Sequence, residues 1–382
     1  MTSLESAVFK LKSFIEKEEY KGHDPYDALK SPFFRLPGLK SSKLIRFGAQ
    51  QFLKRIPVNL RPILLVPKGN NPVTIGLCIQ AYAYLIMSNP QVKAELIGKI
   101  EYLLSELELL IPEGFSGACW GYDFDWEARR ANIPAYQPTV VATGIITNGL
   151  FECWKITGIQ KCADLVVSSS QFVLRDLNRT EGEHGFCYSY SPFDKQVVLN
   201  ASMKGVRILA QTFAINKDKS LLNHALPAVA FVLNFQQPNG AFNYSDKGNW
   251  VDNYHTGYVL DCLDEFITHF DTSSYNEQLR KGFDYYKNTF FSGNGRPYFY
   301  SHKHYPVDCT AAGQSLLTLS RFGEKDKAML VADWMVKNMQ APNGGFYFRK
   351  FKNYIIKTSF MRWSNAWMFA GMAYALSNRN NN

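Results

Sequence analysis

The sequence predicts an all-α protein, an (α/α)6 toroid in which six helical hairpins close into a ring with long aromatic loops on one face. Three observations predict it. First, helical runs that are largely apolar start near Pro72, Pro138, Asn200, His255, Asp308 and Trp363, recurring roughly every 50 to 70 residues, which is an internal repeat. Second, a more polar partner follows each run. In Asn276 to Phe291, Leu279, Phe283, Tyr286 and Phe290 face one way, against Glu277, Lys281, Asp284 and Lys287. Third, the long aromatic loops precede the apolar helix and not its partner. A helix apolar on every side must be buried on every side, and an amphipathic helix can cover it from outside. Two concentric rings meet both demands. An open solenoid of hairpins is the competing fold, but it does not require apolar inner helices.

Leu4 to Tyr20 is a helix with Leu4, Val8, Leu11, Phe14 and Ile15 on its apolar face, and it supplies the sixth outer member. Gly22 to Pro25 stops it. Ser41 to Leu53 is a basic helix, and Pro57, Pro62, Pro67 and Pro72 break the next stretch into extended pieces. Residues 1–71 are therefore expected to pack on a toroid of residues 72–382. The inner helices are Val73 to Met87, Thr139 to Trp154, Ala201 to Phe213, the run from His255, Cys309 to Phe322 and Ser364 to Leu376. Their partners are Gln91 to Leu110, Gln160 to Leu177, Leu221 to Phe235, Asn276 to Phe291 and Lys327 to Met339. Gly and Ala in the inner helices allow close approach around a narrow axis.

Composition narrows the function. The chain has 382 residues, 46% hydrophobic and 20% charged, enough for a large core. Net charge is +9, concentrated at Lys40, Lys43, Arg46, Lys54, Arg55 and Arg61 and again at Arg349, Lys350, Lys352 and Lys357. That balance suits an anionic ligand, an acidic glycan or peripheral contact with an anionic membrane. The zinc-finger, RRM and KH signatures of nucleic-acid binders are lacking. Seven scattered cysteines without a CxxC pair, and an N-terminus that is not a signal peptide, predict a cytoplasmic protein. Walker A, GxGxxG, GxSxG and kinase motifs are missing, so nucleotide chemistry and serine hydrolysis are unsupported.

In a ring of hairpins the inner helices run parallel, so their N-termini share one rim and make it electropositive. The residues there are the site candidates. Trp120, Tyr122, Asp123, Asp125, Trp126, Glu127, Arg129 and Arg130 form the densest cluster. If extended, its carboxylates and aromatics fall on opposite faces, and paired acids beside an aromatic platform suit glycoside hydrolysis. Its bland reading is a charged loop pairing Asp125 or Glu127 with Arg129 or Arg130. A second cluster holds Trp250, Asp252, Tyr254, His255 and Tyr258. A helix N-terminus disfavours imidazolium, so a histidine there is a usable base. The third holds His302, His304, Tyr305 and Asp308 beside Arg362 and Trp363. Asn200, Asp308 and Ser364 also read as helix caps. Asp252, His255, His304 and Asp308 have metal-ligating types without tight spacing, so no metal or cofactor is expected.

The segments Gln237 to Phe242 and Gln340 to Phe346 resemble the Q-x-x-x-G-x-W/F turns of terpenoid cyclases and prenyltransferase β-subunits, which implies an α/α toroid. The D-x-D-D acid and the Asp-x-Cys zinc pair of those families are missing here. Asp252 to Tyr258 resembles the helix starts of glycan-active toroids such as uronate lyases and the helical domain of glucuronyl C5-epimerases. The whole chain resembles uncharacterised toroid proteins of polysaccharide-assembly clusters.

The expectation is an enzyme acting on an anionic, uronate-containing glycan. In the lyase or C5-epimerase form, His255 or Tyr254 is the base and Tyr305 or His304 the acid. Arg129, Arg130 or Arg362 with Asn200 then neutralises the carboxylate. The hydrolase form uses Asp123, Asp125 or Glu127. The alternatives are an isoprenoid or polyprenyl-linked substrate and a non-catalytic glycan-binding protein.

Overall fold

The computed structural model describes residues 3–127 and 132–380. In chain order the helices are α1 (Ser3–Lys17), α2 (Pro37–Ser41), α3 (Lys43–Arg55), α4 (Pro72–Ser88), α5 (Lys93–Leu109), α6 (Val140–Thr157) and α7 (Gln160–Arg175). Next come α8 (Leu199–Asn216), α9 (Ser220–Leu233), α10 (Asn253–Phe270), α11 (Asn276–Thr289), α12 (Cys309–Arg321), α13 (Lys325–Met339) and α14 (Trp367–Asn380). A π-helical turn, Met361–Ala366, leads into α14.

The architecture is an (α/α)6 toroid. Inner helices α4, α6, α8, α10, α12 and α14 each pack on the next, and α14 packs back on α4 to close the ring. Helices α5, α7, α9, α11 and α13 each lie against the inner helix before them, and α1 packs on α13 and α14 as the sixth outer helix. Short links join each inner helix to its partner, while the long loops all return from outer to inner. The inner helices therefore run parallel, and their N-termini share one rim with the loops.

Local chemistry sets where these helices start. Asn71 caps α4 through Val73 N with Pro72 at the first position, Thr139 caps α6, Asp252 caps α10 and Asp308 caps α12. Two predicted caps are corrected. Asn200 lies one residue inside α8, whose cap position is Val198, and Ser364 lies within the π-helical turn. Close packing depends on glycine. A Cβ on Gly149 would sit 2.3 Å from the carbonyl oxygen of Gly76, and one on Gly371 would sit 2.4 Å from that of Gly313.

The inner helices are not purely apolar. Where their faces converge on the axis, Glu152, Lys204, Arg207, Asp261, Glu265 and Gln314 are buried. Arg321 donates to Glu265 at 2.7 Å and Gln314 to Asp261 at 2.7 Å, and His269 meets Glu265 at 2.8 Å. Burial pushes Glu265 up, but Arg321 and His269 more than offset it and hold the carboxyl below its usual range. Burial and the neighbouring Arg207 pull Lys204 down to about 7. Six helices pointing residues at one line let opposite charges compensate, which the periodicity of a single helix does not report.

Short strands tie the rim loops together. β1 (Trp126–Glu127) pairs with β2 (Asn132–Ile133), and β3 (Arg179–Gly182) with β4 (Gly185–Tyr188). β5 (Val307–Asp308), β6 (Arg349–Lys350) and β7 (Ile355–Ile356) form an antiparallel sheet in that order. Among the described residues, no helix is long and apolar enough to cross a membrane.

Candidate active site

A cavity of about 320 Å3 opens on the rim where the inner N-termini meet. That lies within the range of small-molecule sites, roughly 300–1,000 Å3. Its floor comes from the first two turns of the inner helices, through Val141 and Ile145, Asn200, Tyr258, Thr310 and Trp367. Its walls come from the loops, through Tyr122, Phe124, Trp126, Tyr190, Tyr244 and Tyr300. Stacked ring pairs stiffen these walls: Tyr122 on Phe124 at 5.4 Å and Tyr244 on Trp250 at 4.6 Å.

One histidine faces the cavity, and it is oriented. The Oδ1 of Asp252 accepts from the backbone N–H of His255 at 3.0 Å, which caps α10. Its Oδ2 lies 2.7 Å from His255 Nδ1 and also accepts from Trp250 Nε1 at 3.1 Å. Asp252 is buried and accepts from each of these donors, so in the neutral imidazole the proton sits on Nδ1 and Nε2 is the free acceptor. Tyr254 lies against the same ring, with centroids 3.8 Å apart. Burial pushes the phenols of Tyr254, Tyr258 and Tyr190 well above their ordinary value, and nearby Asp252 adds to this for Tyr254. These tyrosines hold their protons at neutral pH and present O–H donors. Neutral His255 is thus an acceptor set among hydroxyl donors.

Among the described residues, four cations line the same cavity: Lys54, Arg55, Arg349 and Arg362. Arg362 is buried and clamped by Asp24 at 2.6 and 2.9 Å, with its guanidinium 4.8 Å from the Tyr122 ring centroid. Arg349 donates to Asp308, which also accepts from Trp363 Nε1 at 3.2 Å. Lys54 has no carboxylate in ion-pair range among the described residues; it donates to Tyr26 and lies over the Tyr26 and Trp363 rings. Burial, then repulsion from Arg349, pulls the Lys54 ammonium well below its usual value. The amide nitrogen of buried Asn200 has no hydrogen-bond partner among the described residues. A buried donor without an acceptor is costly, and here it borders the cavity.

The expected site residues divide sharply. Tyr122, Trp126, Asn200, Trp250, Asp252, Tyr254, His255, Tyr258, Arg362 and Trp363 share this one cavity. Asp123, Asp125 and Glu127 do not line it. The loop does alternate, with its aromatics inward and its carboxylates turned to the N-terminal arm. Asp123 holds Lys30 at 2.7 Å and Asn71 at 2.6 Å, Glu127 holds Arg46 at 3.1 Å, and Asp125 lies 3.5 Å from Arg46. Trp120 is core, its Nε1 bonded to the Leu107 carbonyl. His304 is exposed and stacks on Tyr298, while Tyr305 accepts from Arg296. Asp308 stands behind Arg349 and not in the wall. Arg129 and Arg130 lie outside the described residues. Sequence reasoning passed over Tyr26, Lys54, Tyr190, Tyr244, Tyr300 and Arg349 as site residues. Lys54 and Arg349 stood out only as members of basic stretches, and nothing local says that such stretches converge.

The sequence matches no protein-family model, and no curated protein shows significant similarity to it. Solved structures do match in shape. Cellobiose 2-epimerase from Bacillus thermoamylovorans superposes with a TM-score of 0.62 at 11% identity, covering 80% of this chain and 87% of that one. A family 76 α-mannanase from Bacteroides thetaiotaomicron gives 0.53 at 12% identity, over 80% and 86% of the two chains. A polysaccharide lyase gives 0.53 at 10% identity, over 79% and 89%. At such identities the likeness is one of fold, and the fold this chain shares with them is the α/α toroid.

Proposed function

We propose that this chain is a carbohydrate-active enzyme that abstracts the proton α to the carboxylate of a uronate-containing glycan, as a C5-epimerase or a lyase does. The observation that carries the reading is an Asp252-oriented His255 in one aromatic-walled cavity with Arg349, Arg362, Lys54 and the unpaired amide of Asn200. His255 Nε2 takes the C5 proton. The electron pair of the broken C–H bond moves into the carboxylate, where guanidinium and ammonium groups stabilise the added charge. A protonated tyrosine of the cavity wall across from His255 then returns a proton to C5 from the other face, giving the epimer. In the lyase outcome the electrons expel the C4 oxygen, which takes the tyrosine proton. The aromatic walls suit stacking on sugar faces. Shape similarity to an epimerase and to a polysaccharide lyase supports the class. Hydrolysis needs two carboxyls flanking the scissile bond, whereas Asp252 is the one carboxylate among the lining residues and is committed to His255.

The test is incubation with uronate oligosaccharides in deuterated water, read by NMR. Deuterium entering C5, with an epimerised or 4,5-unsaturated product and its loss in His255→Gln, is the expected result. Binding of uronates without exchange would instead support a non-catalytic glycan-binding protein. Release of reducing ends without exchange would support hydrolysis.

A further inference from the structure

The arm between the first outer helix and the first inner helix carries a surface that the proposed chemistry does not use. From Ala28 to Ala94 the chain has no Asp or Glu. In this arm Phe33, Leu36, Leu44, Ile45, Phe52, Val58, Ile63 and Leu65 are all exposed, Leu44 by 81% and Ile63 by 74%. Helix α3 is turned inside out. Leu53 and Gln50 are buried on the body, and Arg46 reaches back to Glu127. Leu44, Ile45, Gly48, Phe52 and Arg55 then fall together on the solvent face, at spacings of one, three and four. Exposed Arg35, Lys40, Lys43, Arg55 and Lys68 are interleaved with these apolar residues.

We propose that this arm is a docking surface for an anionic lipid bilayer. An apolar helix face with cations beside it is the composition that lies in the headgroup region. The apolar side chains enter the acyl boundary and the lysines and arginines meet lipid phosphates. A second copy of this chain fits less well, because a two-fold contact would set exposed Arg35, Lys40 and Arg55 of one copy against the same cations of the other. The surface also adjoins the cavity. Arg55 belongs to both, and Lys54 beside it lines the wall. The β6–β7 hairpin on the same rim adds exposed Lys352, Tyr354 and Lys357. Docking therefore holds the cavity mouth at the membrane, where a lipid-tethered glycan would be presented. That consequence for substrate rests on the proposed function, whereas the docking does not.

The experiment is flotation of the full chain with vesicles of phosphatidylcholine alone or mixed with phosphatidylglycerol. Binding to the anionic vesicles at low salt, weakened by high salt and missing with phosphatidylcholine, is expected. A Leu44→Ser, Ile45→Ser, Phe52→Ser triple variant, unchanged in thermal unfolding, should partition about tenfold more weakly or less still. Lys40→Glu with Lys43→Glu should weaken binding to anionic vesicles as well. Three results would overturn the proposal: wild type unbound at low salt, a triple variant that floats like wild type, or a wild-type dimer in solution that the triple variant dissociates. None of these substitutions touches the cavity, so loss of docking with intact deuterium exchange separates this proposal from the functional one.

Discussion

Replacing Asp252 by Asn tests the proposed base most directly, because it exchanges one oxygen for an amide nitrogen and leaves the geometry in place. Asparagine caps a helix about as well as aspartate, so its oxygen keeps the 3.0 Å bond to the His255 backbone. The amide nitrogen then stands where Oδ2 stood. There it meets two donors, His255 Nδ1–H at 2.7 Å and Trp250 Nε1–H at 3.1 Å. The imidazole relieves the clash by moving its proton to Nε2, and the base becomes a donor. The corresponding wrong-tautomer change in a Ser-His-Asp triad lowers kcat by about 10^4. For this dyad a loss of about 10^3 to 10^4 in C5 exchange is expected, or about 4 to 5.5 kcal/mol of barrier. Stability should hardly move. The His255 bond weakens and the N–H of part-exposed Trp250 exchanges its acceptor for water, together costing about 1 kcal/mol. At about 2.1 cal/mol/K per residue, 382 residues give an unfolding entropy of about 0.8 kcal/mol/K, so Tm falls by about 1 °C. The assay is deuterium exchange with kcat and KM separated, alongside a thermal melt. Turnover within about tenfold of wild type would refute the tautomer reasoning. A melt lowered by many degrees would make the residue structural and refute it equally.

Two further outcomes test the electrostatics and the packing. Because burial and Arg349 depress the Lys54 ammonium, the cavity should lose affinity for an anionic sugar as pH rises through that lowered pKa, below the usual lysine value of about 10.4. Between the two values the unfolded chain binds the extra proton, so this group makes stability rise with pH. Lys54→Arg stays charged, and calorimetric titration should find its affinity held into the alkaline range. Gly149→Ala should lower Tm by up to about 2.5 °C, because its Cβ meets the Gly76 carbonyl at 2.3 Å and overpacking of about 1 to 3 kcal/mol is set against a helix-propensity gain of about 1 kcal/mol. Gly98→Ala, on exposed outer α5 with open space around it, should raise Tm instead, which a melt of both variants checks.

The repeat, the two classes of helix and the loops that always precede the inner helix were enough to read the ring from the chain. They are local, periodic signals: each helix reports by its own residues how many of its sides meet water. The cluster from Trp250 to Tyr258 was legible for the same reason, since Asp252 and His255 sit three apart on a helix start, where the one caps the backbone of the other. Folding set the remainder. Asp123, Asp125 and Glu127 looked like paired acids until the N-terminal arm brought Lys30, Lys43 and Arg46 to them. Lys54 and Arg349, nearly three hundred positions apart, became one cationic wall only when the ring closed, and Lys204 found its place over Tyr258 on the axis. A charge's role depends on what stands opposite it, and opposition across a closed ring is a property of closure. Periodicity along the chain was sufficient to say which helices are buried and which rim collects the loops. Which acids are spent in ion pairs, and which groups remain free to meet a ligand, depended on partners that come into reach only across the finished ring.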